Sequence, residues 1–199
     1  MSKKKRSHAV ETGLPRGGTP PAERPAICSR PVSLPFGVAS TVTVNGRLHA
    51  VEWEISRERL ESVLSAKYPG FTRQEGREEI PGTLLRSYAA GMVLRREGLR
   101  AIPFDWGRVR PFSRRVLTEL AKIPYGTPIS YGELAARCGR PGAARAVGSV
   151  LSRNPWPILL PCHRVIGAGG EMVGFGKGIR AKETLIRFER ERIDRGRIA

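Results

Sequence analysis

Ser130-Tyr131-Gly132-Glu133-Leu134-Ala135-Ala136-Arg137-Cys138-Gly139-Arg140-Pro141-Gly142-Ala143-Ala144-Arg145-Ala146-Val147-Gly148-Ser149-Val150-Leu151 is the stretch whose reading decides the fold. Ser130 suits a helix N-cap, because its hydroxyl can accept one of the amide hydrogens that a helix start leaves unbonded. Gly139-Arg140-Pro141-Gly142 breaks that helix, and a second begins at Ala143. Two short helices around a glycine-containing turn make a helix-turn-helix. The second helix is built from small side chains, Ala143, Ala144, Ala146, Gly148 and Ser149, with Arg145 the one long residue near its start. Such a helix either packs tightly inside a core or brings its backbone close to a partner's groove.

Towards the C-terminus, Ile158-Leu159-Leu160 runs into Pro161-Cys162-His163-Arg164. The proline biases Leu160 towards an extended conformation, which predicts a strand-like segment delivering one cysteine to a tight turn. A thiol is a strong nucleophile only as thiolate, and neighbouring cationic or proton-accepting groups favour that form. Cys162 is therefore either a reactive thiol or a buried structural cysteine beside a surface His-Arg pair. A last helix is predicted from Arg180 to Ile193, with Leu185, Ile186 and Ile193 on its apolar face. Glu189 shares that face, where a carboxylate is costly unless paired. A partner inside, such as His163, would explain it; so would an arginine at the boundary.

Towards the N-terminus, Phe112, Val116, Leu117 and Leu120 make a helical stripe ending by Pro124, and Trp106 to Pro111 reads as a linker. Thr41-Val42-Thr43-Val44 and Arg47 to Trp53 flank Asn45-Gly46, a hairpin signal because both turn positions need positive φ. His49 falls at a sheet edge. Ser56 caps a helix carrying Leu60, Val63 and Leu64, stopped by Pro69-Gly70. Leu84, Leu85, Tyr88 and Met92 suggest another helix, and Leu99 to Phe104 a returning strand. Residues 1–35, rich in Pro and Gly and opening with Lys3-Lys4-Lys5-Arg6, read as a disordered basic tail. The expected organisation is this tail, an α/β domain over 36–106 and a second domain over 107–199. The fold class is α+β: a small antiparallel sheet with helices, then a mainly helical, winged-helix-like unit.

The formal charge of +17 is unevenly placed. Residues 36–106 hold ten basic and nine acidic side chains, whereas 107–199 hold eighteen and seven. A basic surface concentrated on the half that holds Cys162 favours a polyanionic partner, nucleic acid above all. Cys28, Cys138 and Cys162 are odd in number and widely spaced, no CxxC occurs, and only His8, His49 and His163 supply imidazoles. This argues against a disulfide framework and a metal site, and for a reducing compartment: the cytoplasm, or the nucleus of a eukaryote. No apolar run suggests a membrane span or a secretory signal.

Taken together, these residues resemble the O6-alkylguanine-DNA alkyltransferases, the methylated-DNA–protein-cysteine methyltransferases. The match runs from roughly Phe36 to Glu189 and is densest in Ile123-Pro124-Tyr125-Gly126, Ser130 to Ala135, Arg140 to Gly148, Arg153-Asn154-Pro155 and Pro161 to Val165. The resemblance implies a ribonuclease-H-like first domain and a monomer that binds double-stranded DNA carrying O6-alkylguanine, with O4-alkylthymine a further candidate lesion. No cofactor is implied. Cys162 would accept the alkyl group once and for good. His163 would be its base through a water, oriented by Glu189. Tyr131 would help rotate the nucleotide and offer its hydroxyl to the leaving base. Arg145 would fill the space of the flipped nucleotide, on a helix whose Ala143, Ala144, Gly148 and Ser149 approach the minor groove. Asn154 would brace the turn before the active-site segment, and Val165, Phe175 and Gly176 would line the base pocket. Phe175 supplies a wall without a hydroxyl, and Gly176 only its backbone N–H. Alkyltransferase-like lesion binders lack the cysteine, a plain helix-turn-helix regulator needs no Tyr131, Cys162, His163 and Glu189 set, and a cysteine hydrolase needs no flipping arginine.

Overall fold

The computed structural model describes residues 26–74, 79–94 and 96–194. Strands β1 (Ile27–Cys28) and β2 (Val32–Leu34) lie within what the composition suggests is tail, and Cys28, Val32 and Leu34 are buried. Pro31 separates them, since it has no N–H to give to a ladder. The tail expected over 1–35 thus gives way to sheet from Ile27; the expectation for residues 1–25 lies outside the described residues.

β3 (Gly37–Val44) and β4 (Arg47–Glu54) form the hairpin, with φ of 50° at Asn45 and 72° at Gly46. β4 pairs with one edge of β3; β1 and β2 share the other edge, both antiparallel. Helix α1 (Arg57–Lys67) starts where Ser56 Oγ accepts the Arg59 N–H at 3.2 Å, and it buries Leu60 and Leu64 on the sheet. β5 (Thr72–Arg73) then adds to β1 in parallel, so the sheet is antiparallel except at this edge.

Helix α2 (Ile80–Ala89) buries Leu85 and Tyr88, whereas Met92 lies past its end and is exposed. Leu99 to Phe104 is not the expected strand. Helix α3 (Arg96–Arg100) puts Leu99 inside, and only Phe104 makes a bridge, parallel to Leu48. The apolar residues there suit either structure, and tertiary packing selects the turn of helix. A 3₁₀ turn at Trp106–Arg108 leads into helix α4 (Pro111–Leu120), with proline at its first position.

β6 (Ile129–Ser130) precedes helix α5 (Tyr131–Arg137), and helix α6 (Ala144–Leu151) completes the helix-turn-helix. Ser130 and Glu133 form a reciprocal capping box. Gly139 and Gly142 in the turn have φ of 69° and 87°, which only glycine adopts freely. A 3₁₀ turn at Cys162–Arg164, β7 (Val165–Ile166, parallel to β6) and helix α7 (Ile179–Asp194) follow.

The main core is continuous through both halves, joining Leu48, Trp53 and Tyr88 to Leu117, Trp156 and Leu185. The outer edge of β4 is capped by the C-terminal half: Val51 N–H donates to Pro155 O at 2.8 Å, and the Trp156 indole donates to Leu48 O at 3.0 Å. No described helix is long and apolar enough to cross a membrane.

Candidate active site

The segment that delivers Cys162 is a chain of turns, not a strand. Leu160 N–H donates to Trp156 O, and Cys162 N–H to Leu160 O. Ile158 takes φ of 74°, a costly conformation for a β-branched residue that persists only where its surroundings over-determine it. Asn154 supplies part of that constraint. Its amide donates to Leu160 O at 2.8 Å while its carbonyl oxygen accepts the Trp156 N–H at 3.0 Å. The 3₁₀ turn then exposes Cys162 by only 6% and buries His163 completely.

Glu189, fully buried on α7, gathers the cluster. It accepts from His163 Nε2 at 2.8 Å, from Tyr88 Oη at 3.0 Å, from Gly126 N–H at 2.8 Å, and from Arg164 Nε and Nη2 at 2.8 and 2.9 Å. Both partners considered from the sequence are therefore present: the imidazole and an arginine, although the arginine is Arg164, itself buried. Burial would raise the Glu189 carboxyl, but His163 and Arg164 outweigh it and hold the group at about 2. A carboxylate only accepts, so His163 Nε2 carries the hydrogen. Burial lowers the imidazole below its ordinary range more than Glu189 raises it, so the ring is neutral near pH 7. Its Nδ1 is buried with no hydrogen-bond partner among the described residues, and it is the basic nitrogen.

Burial raises the Cys162 thiol, and neither the Asn154 side chain nor the Lys182 charge reverses this. The resting group is a thiol and not the preformed thiolate that its sequence neighbours suggest. Arg164 is engaged with Glu189 and does not activate it.

Tyr131, Ala144, Arg145, Gly148, Phe175 and Gly176 are brought together as walls of an open cleft of about 530 Å³. Tyr131 Oη lies 3.2 Å from Val173 O and 3.0 Å from Gly174 O, so its hydroxyl ties down the loop that forms one wall. Burial raises its pKa, which keeps it a donor. Cys162 and Val165 are not walls of this cleft; Val165 is buried, and its carbonyl is taken by Lys182 Nζ at 2.6 Å. Ala143 sits at the N-cap of α6, and Ser149 accepts a hydrogen bond from Arg153.

Lys182 and Tyr88 are members of the site that sequence reasoning did not single out, and Arg164, marked there only as a neighbour of Cys162, is a partner of Glu189. Lys182 is fully buried, donates also to Val173 O at 2.5 Å and stands 5.6 Å from the Tyr131 ring centre. Burial lowers it to about 8. Lys182, Leu185, Ile186 and Glu189 follow i, i+3, i+4, i+7 spacing, so the rule that flags Glu189 also flags this lysine. Tyr88 and Arg164 carry no such signal, because their partner is distant in sequence. Among the described residues no cluster of His, Cys, Asp and Glu has a metal-binding arrangement.

Residues 111–191 match the family model of the 6-O-methylguanine DNA methyltransferase DNA-binding domain. The methylated-DNA–protein-cysteine methyltransferase of Salmonella typhimurium is 43% identical over 150 residues, covering 72% of this chain and 83% of that protein. That of Mycobacterium tuberculosis is 52% identical over 81 residues, 41% of this chain and 49% of that protein. Among solved structures, the M. tuberculosis O6-methylguanine methyltransferase superposes with a TM-score of 0.65 at 32% identity, covering 84% of this chain and 94% of that one. Its complex with DNA gives 0.66 at the same identity, over 83% and 94%.

Proposed function

The chain belongs to the methylated-DNA–protein-cysteine methyltransferases, and from that premise we propose that Cys162 is the acceptor and that His163, Glu189, Tyr131 and Arg145 serve it. The reaction is direct reversal of DNA damage: a methyl group passes from O6-methylguanine to the protein's own cysteine. Its site of work is wherever the cell keeps its DNA.

Inside a stacked duplex the O6 atom is beyond the reach of a thiol that is 6% exposed, so the nucleotide must leave the stack. Small residues on α6 let that helix enter the minor groove, and Arg145, exposed on it, takes the vacated place. The base enters by the cleft of Tyr131 and Phe175 and must pass its present wall to reach Cys162, so the Tyr131 hydroxyl exchanges its shared bond to the Val173 and Gly174 carbonyls for one to the base. His163 Nδ1 accepts the Cys162 proton through a bridging water, while Glu189 stabilises the imidazolium that forms. The Sγ–methyl bond forms as the O6–methyl bond breaks, with its electron pair going to O6. Tyr131 delivers a proton to the departing guanine and is re-protonated from His163. Thiol and methylated guanine thus become thioether and guanine. A thioether has no leaving group for water to displace, so each chain acts once.

The observation that carries this assignment is His163 held by Glu189 through Nε2, with Nδ1 the one ring nitrogen left to take a proton. The test uses duplex DNA with radiolabelled O6-methylguanine. Label should stop at about one methyl per chain and map to Cys162, and Cys162→Ala should take up none. Sustained turnover, or label on another residue, would overturn the assignment.

A further inference from the structure

Three arginines converge on a cleft of about 480 Å³ beside α6, separate from the one that holds Tyr131. Arg108 and Arg110 come from the segment entering α4, Ser113 from its first turn, and Arg153 from just past α6. Among the described residues no acidic side chain lines it. Arg153 Nη2 donates to Ser149 Oγ at 2.9 Å, which fixes the guanidinium at the rim, and all three arginines are exposed. Arg108 also reaches the His49 ring. The α4 start has no side-chain cap, so its first-turn N–H groups add to the positive field. Like charges gathered around one space repel, and a phosphate oxygen satisfies arginine forks, a serine hydroxyl and amides together.

The position identifies which phosphate. Ala144, Arg145, Gly148 and Ser152 of the α6 region face the Tyr131 cleft, whereas Val150 and Arg153 face the arginines. At about 100° per residue these sets lie on roughly opposite sides of the helix. The minor groove is about 6 Å wide and a helix with its side chains at least 10 Å, so an inserted α6 has one sugar–phosphate backbone along each flank. The flank facing Tyr131 belongs to the strand whose nucleotide is flipped.

We propose that the Arg108–Arg110–Arg153 cleft binds backbone phosphates of the complementary, undamaged strand. It holds the duplex from behind while the lesion strand is distorted towards Cys162. This rests on the reading above that α6 enters the minor groove, but its test does not require methyl transfer.

The experiment measures the salt dependence of binding to an undamaged duplex and to one of its single strands, for the full chain and for Arg110→Gln/Arg153→Gln. Losing two phosphate contacts should make the duplex slope of log K against log salt shallower by about 2, at roughly 0.9 per contact. The single-strand slope should not change. An equal loss on both DNAs would mean an unspecific basic surface, and an unchanged duplex slope would mean no phosphate in the cleft; either overturns the proposal. Methyl uptake by the unmodified protein, measured in parallel, reports separately on the functional reading.

Discussion

Replacing Glu189 by glutamine keeps the shape of the side chain and removes the charge on which His163, Arg164, Tyr88 and Gly126 converge. Two routes give the cost. The carboxyl is held at about 2 against an ordinary 4.5, a difference worth about 3 kcal/mol in favour of the folded state. Breaking a buried ion pair from one side, here stranding Arg164, costs about 3–5 kcal/mol. The sign follows from the lowered pKa: the stabilisation is complete above pH 4.5 and drains away as pH falls towards 2. His163, lowered by burial and coupled to Glu189, adds a loss of its own sign that starts near its ordinary 6.5 as pH falls. Urea unfolding of Glu189→Gln and the unmodified protein should therefore differ by about 3 kcal/mol at pH 7, with the gap closing between pH 4.5 and 2. Methyl uptake at pH 7 should fall as well, because the ring loses its fixed tautomer. A gap below about 1 kcal/mol at pH 7, or one that persists unchanged at pH 2, would refute the account of Glu189 as a buried, ionised hub.

Tyr88→Phe removes one donor to that carboxylate and should cost about 1.5–3 kcal/mol in urea unfolding, the worth of a hydrogen bond to a charged group. Lys182→Met cuts the ties to Val165 O and Val173 O and removes the charge beside Cys162; single-turnover methyl uptake should slow roughly tenfold or more, on the same scale for lost charged hydrogen bonds. A rate equal to the unmodified protein's would leave Lys182 a packing residue. Arg145→Ala should slow repair of O6-methylguanine in duplex much more than demethylation of the free base, since only the duplex requires flipping. Equal losses on both substrates would remove it from that role.

What the sequence disclosed was local. Asn45-Gly46, Ser56 and Ser130 each carry their structural consequence within four residues, so the hairpin and both helix starts were legible. The helix-turn-helix was legible for the same reason, with Gly139 and Gly142 marking the break. Strands β1 and β2 were hidden because two- and three-residue strands exist only through distant partners, β3 for both and β5 for β1, and the surrounding prolines resemble a tail. Leu99 to Phe104 misled because a short apolar run has no period to separate strand from helix. Within the site, the buried position of Glu189 is readable from helical spacing, and that of Lys182 is equally readable. The state of Cys162 is not, since burial of the whole turn outweighs the nearby charges.

The hydrogen bond from Tyr88 to Glu189, with the two bonds that tie Pro155 and Trp156 to β4, bears on modularity. Every residue named in the chemistry lies beyond position 130, within or near the 111–191 matched by the DNA-binding-domain model. Yet the carboxylate that orients His163 is completed by α2, and the turn presenting Cys162 is propped by backbone groups at Leu48 and Val51. A grafted or excised C-terminal half would carry the whole motif set and still lack its supports. The smallest portable unit of this activity is the sheet and the helices together.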